Sequence, residues 1–366
     1  MNDSVVRLKR VIPLIRNKYE NSGNASQGVI DNLDALMRKL MIATREGGPK
    51  DIGFFGAMSK GKSSLINALL GCELMPVKAC QTSSVVVKVK HSDSPYYRVK
   101  IHEQGGRQDT HDNLTLSDAR STLEVFGTRQ GGSVDAIDYI EVEGAFPDSR
   151  VLKNGGVLVD TPGAEAAFDE SSTQENVEEQ NRAVRILEET DVILFVEGAD
   201  YLSSVNGTAF FKEKLSRFKP LVVVNKKDKF TPELPANQPP QTDVIEMAKL
   251  RQLKSEVLKV YHTNVSTCVS CTEADMAKKN NDEQLYSQSR IPELENLVCN
   301  AFDNLKPENI LPHALDELKD IVCKVGDVSA QKAFFLPASQ QFLALSRTVK
   351  AEEVRQKAET MLRQFT

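Results

Sequence analysis

The chain has no tryptophan, and only six cysteines and five histidines among 366 residues. The cysteines (Cys72, Cys80, Cys268, Cys271, Cys299 and Cys323) are too sparse for a disulfide scaffold, and no apolar leader precedes them. Reduced thiols in the cytoplasm are therefore expected. Cys268-x-x-Cys271 has no second pair to complete a zinc site and reads as two positions on a short strand. The histidines (His91, His102, His111, His262 and His313) show no ligand spacing. Absent too is any apolar run of about 18 residues, so no membrane span is expected. There is no excess of positive charge: a net −5 gives no global field for nucleic acid, and no nucleic-acid partner is expected. Nor does an amphipathic basic helix of the lipid-inserting type stand out.

What the chain does have is ordinary for a globular protein, with 40% hydrophobic and 27% charged residues. Its length exceeds what one compact core usually holds and implies a large domain with an appendage.

One stretch carries chemistry by itself. Gly56-Ala57-Met58-Ser59-Lys60-Gly61-Lys62-Ser63 is a full G-x-x-x-x-G-K-[ST] loop, followed by Ser64. The preceding Asp51-Ile52-Gly53-Phe54-Phe55 reads as a short buried strand, and Ser64 to Leu70 as a helix stopped by Gly71. The glycines let successive N–H groups point at phosphate oxygens, and the helix adds its positive end. Lys62 would reach the β- and γ-phosphates and Ser63 would ligate Mg²⁺. Without ligand, such a lysine is expected to face solvent.

Around this loop the order of elements is regular. Val5, Leu8, Ile12 and Ile15 share a helical face interrupted by Pro13, and residues 26–45 carry a cleaner stripe. Strands are expected at 85–90, 96–101, 136–142, 156–160, 191–196, 220–225 and 264–269, and helices at about 174–189, 207–218, 242–261 and 291–305. Residues 103–132 read as a polar insertion holding one helix, Leu116 to Phe126. Such alternation implies an α/β fold with a mainly parallel central sheet covered by helices on both faces. The expected domains are helices in 1–48, a nucleotide-binding domain over 49–305, and helices in 306–366. The last stop in mid-pattern, as in a fragment or a chain completed by a partner.

Two further motifs narrow the nucleotide. Val157-Leu158-Val159-Asp160-Thr161-Pro162-Gly163 is a buried strand ending in an aspartate placed to hold Mg²⁺ through water, with Gly163 letting an N–H approach the γ-phosphate. Leu221 to Asp228 is another, ending in Asn225-Lys226-Lys227-Asp228. The Asp228 carboxylate can accept from guanine N1–H and the 2-amino group, where adenine offers neither. Lys226 would lie over the base, and Asn225 would tie the base loop to the phosphate loop. Singly, each could be a strand-end turn; in this order they select GTP and GDP. Thr82, ahead of the next strand, could give its hydroxyl to Mg²⁺ and its carbonyl to an attacking water, or simply enter the strand. Ser270-Cys271 is a weaker candidate for the base loop.

P-loop, threonine, D-T-P-G and N-K-x-D in that order resemble a GTPase, and the details resemble the dynamin superfamily, within it the bacterial dynamin-like proteins. The closer likenesses are Ser63-Ser64 after the lysine, the leader Leu65-Ile66-Asn67-Ala68-Leu69-Leu70-Gly71, and Leu74-Met75-Pro76 ahead of Thr82. The resemblance covers 50–305 by motif and the flanks by arrangement. It implies GTP hydrolysis, with nucleotide state controlling dimerisation through the G domain and movement of a neck bundle made from the two flanks. It implies that Ser59 and Thr82 hold the catalytic water beside Lys62, helped by a monovalent cation, K⁺ or Na⁺, completed on head-to-head dimerisation. It also implies membrane remodelling as the outcome, a lipid membrane or a second dynamin-like chain as partner, and peripheral membrane association. Small GTPases use a glutamine after D-x-x-G; this chain has Ala164. Dynamins proper carry glutamine where this chain has Met58. A second reading is a regulatory switch acting on a protein or ribosomal partner without membrane work. A third, an inactive scaffold, sits poorly with the intact Lys62, Ser63 and Thr82.

Overall fold

The computed structural model describes residues 3–21, 25–43, 50–57, 59–77, 85–127, 137–161, 186, 187, 189–200, 202, 205–233, 242–305, 314, 317, 318, 320, 321 and 356. The chain divides into two compact units, Met1–Gly48 with Asn300–Thr366, and Pro49–Cys299.

In the first unit, α1 (Asp3–Glu20) and α2 (Gln27–Ala43) bury Ile12, Ile15, Tyr19, Leu33, Leu36 and Leu40. Arg16 on α1 reaches Asp34 on α2 at 2.7 Å. Contrary to expectation, α1 runs through Pro13 without a break. The ring removes one backbone hydrogen bond, while burial of Ile12 and Ile15 on either side keeps the helix on its partner. Lys39 pairs with Glu317. The expected helices of 306–366 lie almost wholly outside the described residues.

The second unit is built on a nine-stranded sheet of order β4-β3-β5-β2-β6-β1-β7-β8-β9. Its parallel half comprises β6 (Gly156–Asp160), β1 (Lys50–Phe55), β7 (Val192–Gly198), β8 (Leu221–Asn225) and β9 (Thr267–Cys268). Nearly every side chain in β6, β7 and β8 is buried, as a sheet covered on both faces requires. The other half, β2 (Val86–His91), β3 (Tyr97–Glu103), β4 (Gln108–Leu114) and β5 (Ile137–Gly144), joins antiparallel through β2 and β6. Here sides alternate. Val87, Val89, Val99, Ile101, Ile140 and Val142 face the core. On the opposite face Lys90 and Lys100 each bridge Glu141 and Glu143, at 2.6–3.1 Å.

Helices that the described residues complete include α3 (Lys62–Leu70), α4 (Leu116–Phe126), α5 (Arg150–Lys153), α6 (Val205–Phe210), α7 (Thr242–Tyr261), α8 (Cys271–Asn280), α9 (Glu283–Gln288) and α10 (Ile291–Asn304). The expected α4 and α7 appear with the expected limits. The helix expected over 207–218 instead passes from α6 into a π-helical turn, Phe211–Leu215, and a 3₁₀ turn. Phe210, Phe211 and Leu215 are all buried there, and the wider π turn re-aims side chains that a regular helix would spread around its circumference. Strand β9 is shorter than expected, and most of the helix expected over 174–189 lies outside the described residues. Strand β4 was not foreseen: Gln108 to Leu114 is polar and largely exposed, with no apolar alternation to read. Helices α8 and α9 were not foreseen either; α8 buries only Ala274 and Ala277, too small to mark a stripe.

Candidate nucleotide-binding site

The loop from Gly56 to Gly61 leaves the C-terminal end of β1, at the middle of the sheet, and enters α3. Gly56 has φ 144° and Gly61 φ 89°. A Cβ on Gly56 would run into the Val196 carbonyl, and one on Gly61 into the Asn225 amide, so both positions exclude a side chain by space as well as by backbone. Ser59 adopts φ 60° and is exposed at the turn of the loop. Ala57 and Lys60 are buried, while Ser63 and Ser64 are half-buried on the first turn of α3. Met58 lies outside the described residues.

Lys62 does not face solvent. It is 8% exposed, and its ammonium donates to the Gly56 carbonyl at 2.9 Å and the Ala57 carbonyl at 3.0 Å. The nest of backbone oxygens left by the loop's own curvature supplies acceptors that phosphate oxygens would otherwise supply.

Asp160 ends β6, fully buried, beside the loop. The Ser63 hydroxyl donates to its Oδ2 at 2.9 Å. Thr161 locks the strand end by donating to the Phe54 carbonyl at 2.6 Å. A hydroxyl and a carboxylate this close form a hard-oxygen donor pair of the kind Mg²⁺ takes. Gly163 and Thr82 lie outside the described residues.

The base loop follows β8. The Asn225 amide nitrogen lies 3.4 Å from the carbonyls of both Lys60 and Gly61, and its oxygen accepts from the Lys226 N–H at 2.7 Å and the Cys271 N–H at 3.3 Å. One side chain thus joins the phosphate loop, the base loop and the start of α8. Lys226 has φ 61° and its ammonium meets Asp200 at 2.7 Å. Asp228 Oδ1 accepts from the Ser270 hydroxyl at 2.6 Å. Ser270 is also the N-cap of α8, accepting from the Glu273 N–H. The weak candidate pair thus sits at the base loop, Ser270 through its side chain and the half-buried Cys271 through its N–H. Burial pushes the Cys271 thiol up to about 12 and Cys268 to about 11, so neither supplies a thiolate at neutral pH.

Several residues of the site have no motif to announce them. Lys227 is 1% exposed and pairs with Glu246 on α7 at 2.9 Å and Glu273 on α8 at 2.8 Å. Glu197, at the end of β7, is fully buried and takes the Lys60 ammonium at 3.0 Å and the Tyr261 hydroxyl at 2.8 Å. Burial raises the Glu197 pKa above its ordinary value even though Lys60 pulls it down. The one signal in the sequence is a carboxylate inside the otherwise apolar Val192-Ile193-Leu194-Phe195-Val196-Glu197.

Residues 52–228 match the model of the dynamin family. Among curated proteins, the isoniazid-induced protein IniC of Mycobacterium tuberculosis is 26% identical over 167 residues, 44% of this chain and 29% of that protein. An uncharacterised protein in the xynA 3' region of Caldicellulosiruptor is 26% identical over 176 residues, 47% of this chain and 39% of that one. The alignments thus span well under half the length of either relative. Among solved structures, two chains of an oligomerised bacterial dynamin pair, described as a mechanism for long-range sensing and tethering of membranes, superpose with TM-scores of 0.45 and 0.46. Both are 17% identical and cover 100% and 99% of this chain, and 64% and 63% of theirs. Aquifex aeolicus Era bound to GDP and AlF₄⁻ gives a TM-score of 0.36 at 15% identity, over 69% of this chain and 56% of that one. The likeness rests on the family match and the motifs, not on these superpositions. Because the matched segment opens on the strand that feeds the phosphate loop and closes on Asp228, it spans the motif-bearing nucleotide site from end to end, and over those residues the chain is similar to the dynamin family of GTPases.

Proposed function

We propose that this protein binds GTP with Mg²⁺ and hydrolyses it to GDP and phosphate, and that its nucleotide state governs self-association through the G domain. The observation that carries the reading is Asn225, which holds the Asp228 loop against the phosphate loop, so that one molecule bearing both guanine and phosphates fits where the two meet. On binding, Lys62 exchanges the Gly56 and Ala57 carbonyls for β- and γ-phosphate oxygens. The exchange trades one set of charge-assisted bonds for a stronger one. Ser63 and Asp160 would hold Mg²⁺, which neutralises charge developing on the phosphate oxygens. Asp228, with one oxygen already held by Ser270, presents a fixed carboxylate edge to guanine.

Ala164 carries no group to orient water, so Ser59 and Thr82 are proposed to hold the attacking water, with K⁺ or Na⁺ completed in a head-to-head dimer. The helices of 1–48 and 306–366 are proposed as a neck, and the setting as the cytoplasmic face of a membrane, reached peripherally. Among the described residues no helix is long and apolar enough to cross one.

Calorimetric titration with GDP and ADP tests the nucleotide. GDP should bind at least about a hundredfold more tightly, since adenine offers the Asp228 carboxylate neither of the two donors that guanine presents. Comparable affinities would sink the GTPase reading.

A further inference from the structure

The phosphate loop is anchored from behind by a buried chain of polar groups. Lys60, 5% exposed, turns its side chain away from the loop's N–H groups and into the protein, to Glu197 Oε2 at 3.0 Å. Glu197 Oε1 accepts from Tyr261 at the end of α7. Tyr261 is itself wedged edge-on against Phe195 and Phe211, with ring centroids 5.3 and 5.0 Å away. The turn that follows Glu197 grips the other loop: the Ala199 N–H donates to the Asn225 carbonyl at 2.8 Å, and Asp200 takes Lys226. One strand end thus holds a lysine from each half of the site. An ion pair this deeply buried is poor stabilisation compared with apolar side chains of the same volume. What it supplies is geometry, a fixed rear attachment between Ser59 and Gly61, both of which hold positive φ.

We infer that Glu197 is a positioning residue of the nucleotide site: acting through Lys60, it holds the phosphate loop in the conformation whose N–H groups converge on the β-phosphate. The inference rests on the GTPase reading above. It predicts that loss of Glu197 weakens the grip on the β-phosphate and leaves recognition of the guanosine end intact.

The test is calorimetric titration of the full chain with GDP and GMP. In Glu197→Gln the amide oxygen still accepts from Tyr261, but the charge that holds Lys60 is gone. The ratio of GDP to GMP affinity should fall about tenfold, the order of one lost charge-assisted bond, with GMP affinity unchanged within about twofold. The double variant Glu197→Gln/Lys60→Met removes the stranded cation. It should recover the thermal midpoint without recovering the ratio, because the loop is still untied. Should Glu197→Gln not fold, Lys60→Met reads the same ratio, since a fully buried carboxyl whose pKa burial already raises can take up a proton. GDP and GMP affinities that fall together, or a ratio that returns with stability in the double variant, would show packing alone and overturn the inference. Wild-type protein that prefers neither GDP over ADP nor GDP over GMP overturns the function and the inference together. Wild type with both preferences and a Glu197→Gln variant that keeps them overturns only the inference.

Discussion

Lys62 is tied into its own loop. Folded onto Gly56 and Ala57, it satisfies two carbonyls that the tight loop would otherwise bury. Its replacement therefore acts twice. Lys62→Ala should abolish GTP turnover and also cost about 1–3 kcal/mol of stability, the desolvation of unpaired carbonyls. Chemical denaturation without nucleotide checks the second half; an unchanged midpoint would mean that water replaces the ammonium. The Ser270 bond makes a sharper statement about Asp228. If an asparagine there keeps its oxygen on Ser270, its amide nitrogen is the atom turned towards the base. Asp228→Asn should then favour xanthine nucleotides, whose 2-oxo group accepts where guanine's amino group donates. Retained preference for GDP over XDP in direct titration would contradict that orientation. At this scale the sequence was legible wherever chemistry is local: the P-loop residues, Asp160, Asn225 and Asp228 sit in short motifs at strand ends. Glu197, Asp200 and the partners of Lys227 were not, because each matters only through a residue far away in the chain.

Among elements, the base loop is braced more heavily than a four-residue motif suggests. Lys227 fastens it to α7 through Glu246 and to α8 through Glu273, and the Lys227 N–H adds a bond to the Val269 carbonyl at 3.1 Å. Lys227→Ala leaves the two carboxylates facing an emptied pocket. It should destabilise the protein by on the order of 3 kcal/mol, discounted because Glu246 is a third exposed. Guanine discrimination should fall with it, read by GDP against ADP titration at a temperature where the variant remains folded. Most strands and helices with large apolar side chains were read correctly from their spacing, α4 and α7 to the residue, but the segment after Phe210 was not, because its π-helical turn breaks the regular helical period. Elements whose buried face is small or absent, α8 with its two alanines and β4 with none, left no periodic trace. Pro13 misled in the other direction, because tertiary packing outweighs one missing hydrogen bond.

For the whole molecule, the proposed mechanism makes activity a property of an assembly. Supplying a catalytic group in trans raises GTPase rates by about 10³–10⁵-fold in other systems; a smaller rise is expected here. Turnover per molecule should climb with protein concentration and respond to exchange of K⁺ for Na⁺ or Li⁺. A rate that stays flat over a hundredfold dilution, with the protein monomeric in a transition-state analogue, would favour the partner-regulated switch instead.

The outer edge of the sheet bears on how such an assembly forms. Among the described residues, strand β4 ends the sheet with Gln108-Asp109-Thr110-His111-Asp112-Asn113-Leu114, largely exposed and carrying two carboxylates. An open edge normally invites a neighbouring chain to add a strand, and charge along it discourages that. Association by edge-to-edge growth, which would run on without limit and ignore the nucleotide, is thus disfavoured at this rim. Copies that meet on this side of the sheet would do so through side-chain surfaces, where the proposed dependence on nucleotide can act.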